Sequence, residues 1–393
     1  MATPEIPAYF DNHATTAVDP RVLHAMLPTF EHAYGNPESA HAFGWRARVL
    51  VERARELTSR MIGAATHEIE FTSGATESIQ RAILGVLNKP NLHIVTVSTE
   101  HKATLDACTE AVRLGHEITI LQTDREGRVT AQQIIEALRP NTVLVSLMHG
   151  NNEIGTLHPI SEIGSALRSA RPDVFFHVDA AQTAGKHEID VDNMHIDLLS
   201  LSAHKFHGPK GIGALYVRSS PGRRVHLHEQ RHGTPNVSGI VGLGAACEIA
   251  HIEGARDRNR MIEQRDLILS TLEEKIGRFS TNGIHLNGPR ADRLCNNISL
   301  TFEGVEQDQL MLALKDIAYS SASACSGPTK SHVLKAIGQP ADNPFLTTVR
   351  FGLSRLTDEE DVSHLIERLI QGVRTTREIS SAYDSTTKPV RKT

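Results

Sequence analysis

From residue 20 onward the apolar positions follow two rhythms: stretches with apolar residues three or four apart among charged ones, and short runs that are apolar almost throughout. The first rhythm marks one face of a helix and the second a strand buried on both sides. Their alternation predicts an α/β fold with a mostly parallel sheet. Residues 46–62 read as a helix, with apolar positions set among arginines and glutamates. Residues 68–71 read as a strand, followed by the small-residue turn Thr72-Ser73-Gly74-Ala75-Thr76-Glu77-Ser78 and a helix over 79–87. Apolar runs at 93–97, 143–148, 174–178 and 198–201 predict further strands, and 211–217 a strand running back. An irregular stretch follows at 221–239, and then a long helix over 245–276. Beyond it come strands at 297–302 and 347–353 and helices at 307–316, 331–337 and 358–379.

Composition narrows the function classes. A chain of 393 residues with 39% hydrophobic content buries a large core and suggests two or three domains. Lys plus Arg total 41 against 46 for Asp plus Glu, so the net charge of -5 provides no broad basic surface for nucleic acid. Lys388, Arg391 and Lys392 in the polar tail are too few to change that, and no direct nucleic-acid role is expected. The start, MATPEIPAYFDNHATT, lacks a basic region followed by an apolar run, and no segment approaches the ~18 apolar residues of a membrane span. A cytoplasmic protein without a membrane partner is the expectation. Cys108, Cys247, Cys295 and Cys325 are widely spaced with no Cys-x-x-Cys pair, so neither a metal site nor a disulfide framework is expected.

Candidate chemistry gathers where the apolar runs end. The run 93–97 leads to Ser98-Thr99-Glu100-His101, and 143–148 to His149-Gly150-Asn151-Asn152-Glu153. The run 174–178 leads to Asp179-Ala180-Ala181-Gln182, and 198–201 to Ser202-Ala203-His204-Lys205. Ligands of open parallel sheets sit outside the carboxyl ends of the strands, so His101, Asn152, Asp179, Gln182, Ser202, His204 and Lys205 are expected around one crevice. The turn at 72–78 adds a helix start with Thr and Ser hydroxyls, which is either a simple N-cap or a seat for a phosphate.

A lysine, a carboxylate, an imidazole and a phosphate seat together match the needs of pyridoxal phosphate. Its aldehyde forms a Schiff base with a lysine amine, and its ring nitrogen needs a buried carboxylate to stay protonated. Lys205 and Asp179 fit those roles. His101 is a candidate for stacking on the ring and Gln182 for bonding its phenolic oxygen, while Ala75, Thr76, Ser202 and His204 would supply phosphate donors. Taken singly, Asp179 could be a core ion pair, His101 a satisfied buried imidazole and Ser202 a cap. Their convergence favours the cofactor.

The runs TSGATES, TEHKA, HGNNEIG, HVDAAQ, SAHKFHGPKGIGALYV and SACS, in this order over nearly the whole chain, resemble those of the cysteine desulfurases. These are fold-type I pyridoxal phosphate enzymes of the aminotransferase class V group. The resemblance implies a homodimer with a large cofactor-binding domain over 15–250. It also implies a small α+β domain built from 1–14 and 251–379 that carries the cysteine loop, leaving 380–393 as a disordered tail. It assigns Lys205 as the Schiff-base lysine, His101 as stacking residue and proton shuttle, Asp179 as pyridinium partner, and Gln182 and Asn152 as contacts to phenolic oxygen and substrate. Thr76, Ser202 and His204 would hold the phosphate, joined by Thr234 from the partner subunit. Cys325 would take the sulfur of substrate L-cysteine as a persulfide, release L-alanine and pass the sulfur to an acceptor protein, while Arg350 would hold the substrate carboxylate.

Several positions depart from the family pattern. His13 stands where a substrate-contacting Asn is usual, and the stretch before Arg231-His232-Gly233-Thr234 lacks the usual glycine run. After Arg350 the usual Ser and Gly are exchanged. The loop from Cys325 to Ser331 is about two residues shorter than in many members, which limits its reach at about 3.3 to 3.6 Å per residue and predicts an ordered loop resting away from the cofactor. Iron-sulfur assembly, tRNA thiolation and DNA phosphorothioation are all possible destinations of the sulfur. The alternatives are a selenocysteine lyase or other class V enzyme, and a cofactor-binding partner scaffold with weak activity.

Overall fold

The computed structural model describes residues 6–220, 222–227, 233–280, 283–321, 331–339 and 346–379. Cys325, the stretch 228–232 and the tail from 380 lie outside them, and so does the expectation of an ordered Cys325 loop. A seven-stranded sheet is built from β1 (Ile69–Thr72), β2 (His93–Val97), β3 (Glu117–Leu121), β4 (Thr142–Met148), β5 (Phe175–Asp179), β6 (Leu198–Ser202) and β7 (Gly213–Val217), in spatial order β1-β7-β6-β5-β4-β2-β3. Only β7 runs against the others, the strand running back expected at 211–217. Every residue of β2, β6 and β7 is buried, which explains why these strands read as continuous apolar runs.

Helices cover the sheet: α1 (Ala42–Met61), α2 (Ala75–Gly85), α3 (Lys102–Arg113) and α4 (Ile160–Ala170). The long helix α5 (Val237–Lys275) begins eight residues before the expected 245, because its glycine-rich first turns pack where larger residues cannot. A Cβ at Gly244 would fall 2.6 Å from Ala54 Cα of α1, and one at Gly242 2.7 Å from Pro209. Its early residues Ile240, Leu243 and Ala246 join the core under the large sheet. Met261, Ile268 and Leu272 join a second core, formed with the antiparallel strands β8 (Ile284–Leu286), β9 (Asn297–Glu303), β10 (Ser320–Ser321) and β11 (Leu346–Gly352) and the helix α6 (Glu359–Ile379). Phe10, fully buried, belongs to that second core, and Ala8–Tyr9 pairs in parallel with Ile317–Ala318. Among the described residues no helix is long and apolar enough to cross a membrane.

One charge cluster ties the large sheet together. Asp197, just ahead of β6, is completely buried and accepts the Phe176 N–H at 2.8 Å. Arg168 Nη2 lies 3.3 Å and Arg218 Nε 3.5 Å from the carboxylate, and Arg223 contacts both of its oxygens. Removing the charge takes from three partly buried guanidinium groups the carboxylate on which they converge, leaving them backbone carbonyls and, for Arg218, Asp192, so Asp197→Asn should lose about 3 kcal/mol of stability. Urea denaturation measures this; a loss below about 1 kcal/mol would show that the arginines find other partners.

Candidate active site

The carboxyl ends of the parallel strands open into a cavity of about 490 Å³. Each expected cofactor-binding residue except Thr234 lines it, and so does His101. Thr234, ahead of α5, is exposed and outside the cavity, whereas Arg350 and His13 are buried beside it.

One end of the cavity is shaped for an anion. Helix α2 points its N-terminus into it, and the N-cap Gly74 contributes no side-chain hydrogen bond to the first-turn amides. Gly74 has φ 155° and ψ 179°, a region that essentially only glycine occupies. Its backbone lies so close to β7 that a Cβ at Gly213 would fall 2.8 Å from Gly74 Cα. Thr76 and the buried Ser202 add hydroxyl groups. His204 Nδ1 lies 3.1 Å from Thr15 Oγ1, and burial, followed by Lys205 and Lys210, lowers its pKa to about 4. It is therefore a neutral hydrogen-bonding group at pH 7. Lys210 also lines the cavity. The sequence reading passed over it, although a second lysine in the glycine-rich turn after β6 was the available signal.

Lys205 follows β6 through the short helical turn Ala203–Lys205, which aims its amine across the cavity mouth to His13 O at 2.6 Å and Ala14 O at 2.9 Å. Its own carbonyl accepts from Lys186 Nζ at 2.8 Å. Burial lowers the Lys186 pKa to about 8, with Lys205 pushing in the same direction. Asp179 ends β5, and its Oδ1 accepts the Ala181 N–H at 2.9 Å. Burial raises the pKa of this carboxyl, while the Ala181 amide, His101 and Lys205 oppose the rise.

A second buried carboxyl escaped the sequence reading. Glu100 Oε1 accepts the Met148 N–H at 2.6 Å, and Oε2 has no well-aligned hydrogen-bond partner, although the Thr104 hydroxyl is near. Burial first and Asp179 second push its pKa up to about 8. Burial and the nearby Asp179 charge thus favour the protonated form of Glu100 at neutral pH. Its position immediately before His101 at a strand end was the only available signal.

His101 caps helix α3: Nδ1 accepts the Ala103 N–H at 3.1 Å, so the neutral ring carries its proton on Nε2. Its surroundings lower its pKa, desolvation being the largest cause, while Asp179 draws it upward. Arg350, on β11, donates from Nη2 to Asp11 Oδ1 at 3.1 Å and Ser320 Oγ at 2.8 Å, and from Nη1 to Asn152 O at 3.1 Å. Its buried Nε has no hydrogen-bond partner. The structure thus joins Arg350 to the loop of Asn152, and places His13 behind Gln182, with Nδ1 3.0 Å from Gln182 Oε1.

The aminotransferase class-V family profile matches residues 8–365. A cysteine desulfurase IscS from Anaeromyxobacter sp. (strain Fw109-5) is 46% identical over 97% of this chain and 96% of its own length. Among solved structures, a NifS-like protein superposes with a TM-score of 0.84 at 33% identity, covering 94% of this chain and all of the other. SspA in complex with cysteine gives 0.76 at 35% identity over 89% of this chain and all of the other. With strand-end chemistry, fold and full-length similarity in agreement, the chain belongs to the aminotransferase class-V family, in its cysteine desulfurase branch.

Proposed function

We propose that the chain is a pyridoxal-phosphate-dependent L-cysteine desulfurase, acting as a cytoplasmic homodimer that passes sulfur through Cys325 to an acceptor protein. The observation that carries this reading is one cavity that holds a lysine amine, a buried carboxylate and an uncapped helix N-terminus. That donor set fits the cofactor: Ala75, Thr76, Ser202 and His204 would hold its phosphate, Asp179 its ring nitrogen, Gln182 and Asn152 its phenolic oxygen and the substrate, and His101 its ring face. When bound, the cofactor supplies an electrophilic carbon for Lys205 and then for the substrate amine, and a ring that accepts electrons.

The protein's own groups do the remaining work. Arg350 offers the substrate carboxylate a guanidinium already held by Asp11, Ser320 and the Asn152 carbonyl, so little side-chain freedom is lost on binding. The neutral His101 and Lys205 carry protons across the cavity mouth. The Cys325 thiolate attacks the substrate sulfur and the carbon–sulfur bond breaks. The sulfur stays on Cys325 as a persulfide, and the carbon takes up a proton and leaves as alanine. Thr234, exposed here, is available to complete the phosphate seat of a second copy. The exposed Leu27, Phe30, Tyr34, Phe43 and Trp45 support such an association, the Tyr34 and Phe43 rings lying 5.5 Å apart.

Incubation with L-cysteine should yield one alanine per sulfur released or transferred, and the protein should carry a persulfide when no acceptor thiol is present. Turnover of selenocysteine with none of cysteine would instead make the chain a lyase for the selenium substrate.

A further inference from the structure

The ring of His13 is buried between two side-chain amides. Nδ1 lies 3.0 Å from Gln182 Oε1, and Nε2 3.2 Å from Asn297 Nδ2. The orientation of the Asn297 amide is dictated from its far side, where Oδ1 accepts from Arg293 Nη1 at 2.7 Å. Arg293 is itself buried and fixed, donating from Nε to Pro289 O at 2.7 Å and from Nη2 to Asn287 O. A guanidinium only donates, so the oxygen of Asn297 faces Arg293 and its N–H faces His13. Nε2 of His13 must then accept, and the neutral ring carries its proton on Nδ1. That proton goes to Gln182 Oε1, while Gln182 Nε2 donates back to His13 O at 3.1 Å.

Both ends of the Gln182 amide are therefore held by one residue, and the second hydrogen on Nε2 is left for the cavity that Gln182 lines. The backbone leaves room for this arrangement. A Cβ at Gly155, where φ is +79°, would lie 2.5 Å from Asn297 Oδ1 and 2.9 Å from Arg293 Nη1; one at Gly352 would lie 2.8 Å from His13 Cδ2. Arg350, Lys186 and Lys205 face the ring from three other elements, and together with burial they oppose its protonation.

We infer that Arg293, acting through Asn297 and His13, starts a directed hydrogen-bond chain that fixes the orientation of Gln182, and that His13 is a positioning residue for the donor facing the cofactor's phenolic oxygen. The last step rests on the cofactor reading above; the direction of the chain does not.

Two measurements on the full-length protein test this. In ¹⁵N-histidine spectra, the His13 signal, assigned by its loss in His13→Asn, should show a protonated Nδ1 and a bare Nε2. The opposite tautomer or an imidazolium overturns the chain, whether or not any variant folds. In the holoenzyme without cysteine, His13→Leu should raise the pH midpoint of the cofactor's visible band by about half a unit, because a donor that favours the ionised phenolic oxygen is no longer held in place. His13→Asn has its Nδ2 at the same remove from the backbone as the ring Nδ1, and should restore most of the shift. An unmoved midpoint in His13→Leu with a raised KM for cysteine makes His13 a substrate contact and overturns the positioning role. A colourless wild-type protein defeats the cofactor reading instead, and the tautomer still decides the chain.

Discussion

Replacing Lys205 by alanine should remove the visible absorbance of the protein and lower cysteine turnover by about 10³-fold or more, equivalent to about 4 kcal/mol of barrier, while the fold persists. In the proposed reaction the Lys205 amine is the nucleophile, and among the described residues the other two lysines near it are placed differently. Lys186 is spent on the Lys205 carbonyl. Lys210 is exposed beyond the turn, at the anion end of the cavity. The N-terminal segment, which the Lys205 amine touches at His13 O and Ala14 O, keeps its other anchors. Asn12 Nδ2 donates to Gly352 O at 2.7 Å, Thr16 N to His204 O at 2.9 Å, and His207 N to Thr16 Oγ1 at 2.8 Å. Each such bond contributes only about 1 kcal/mol, so losing two does not release the segment. Absorbance and alanine formation in Lys205→Ala, with circular dichroism as the control for folding, make the measurement. Turnover within tenfold of wild type would move the nucleophile elsewhere.

How far the site is legible in the sequence depends on the distance over which each residue is positioned. Asp179 and Ser202 close largely buried apolar runs and Lys205 follows one turn later, so their place at strand ends follows from local pattern alone. The edge strand β3 was missed because it pairs on one side only and is half exposed, which breaks its apolar run with Glu117 and Thr119. The early start of α5 was missed because it depends on glycines whose reason is a close approach to Ala54 and Pro209, remote in the chain. His13 stands where a substrate-contacting Asn is usual; that its ring also meets Gln182 and Asn297, 169 and 284 residues away, is carried by no local pattern. The neutrality of Glu100 is likewise a product of burial beside Asp179, which only the folded chain supplies.

Cys325→Ser should leave the visible absorbance and cysteine binding in place and reduce alanine formation by at least ~10²-fold, equivalent to about 2.7 kcal/mol of barrier. The reason lies in the other three cysteines. Cys108, Cys247 and Cys295 are buried, and burial raises their thiols to about 12, about 12 and about 11. At neutral pH essentially none of each is thiolate, and the thiolate is the form that attacks sulfur. Cys295 is the least shifted of the three because Lys186 and Arg265 counter part of the burial effect, yet its sulfur is enclosed in the second core. A serine hydroxyl at 325 cannot form a persulfide, so the carbon–sulfur bond of bound cysteine would lose its acceptor while Lys205, Asp179 and Arg350 remain intact. Single-turnover alanine formation, followed with labelled cysteine in the presence and absence of a reducing thiol, separates the possibilities. Alanine released at the wild-type rate without thiol would mean that zero-valent sulfur leaves the substrate for an acceptor other than Cys325, whereas sulfide and pyruvate in place of alanine would mean elimination.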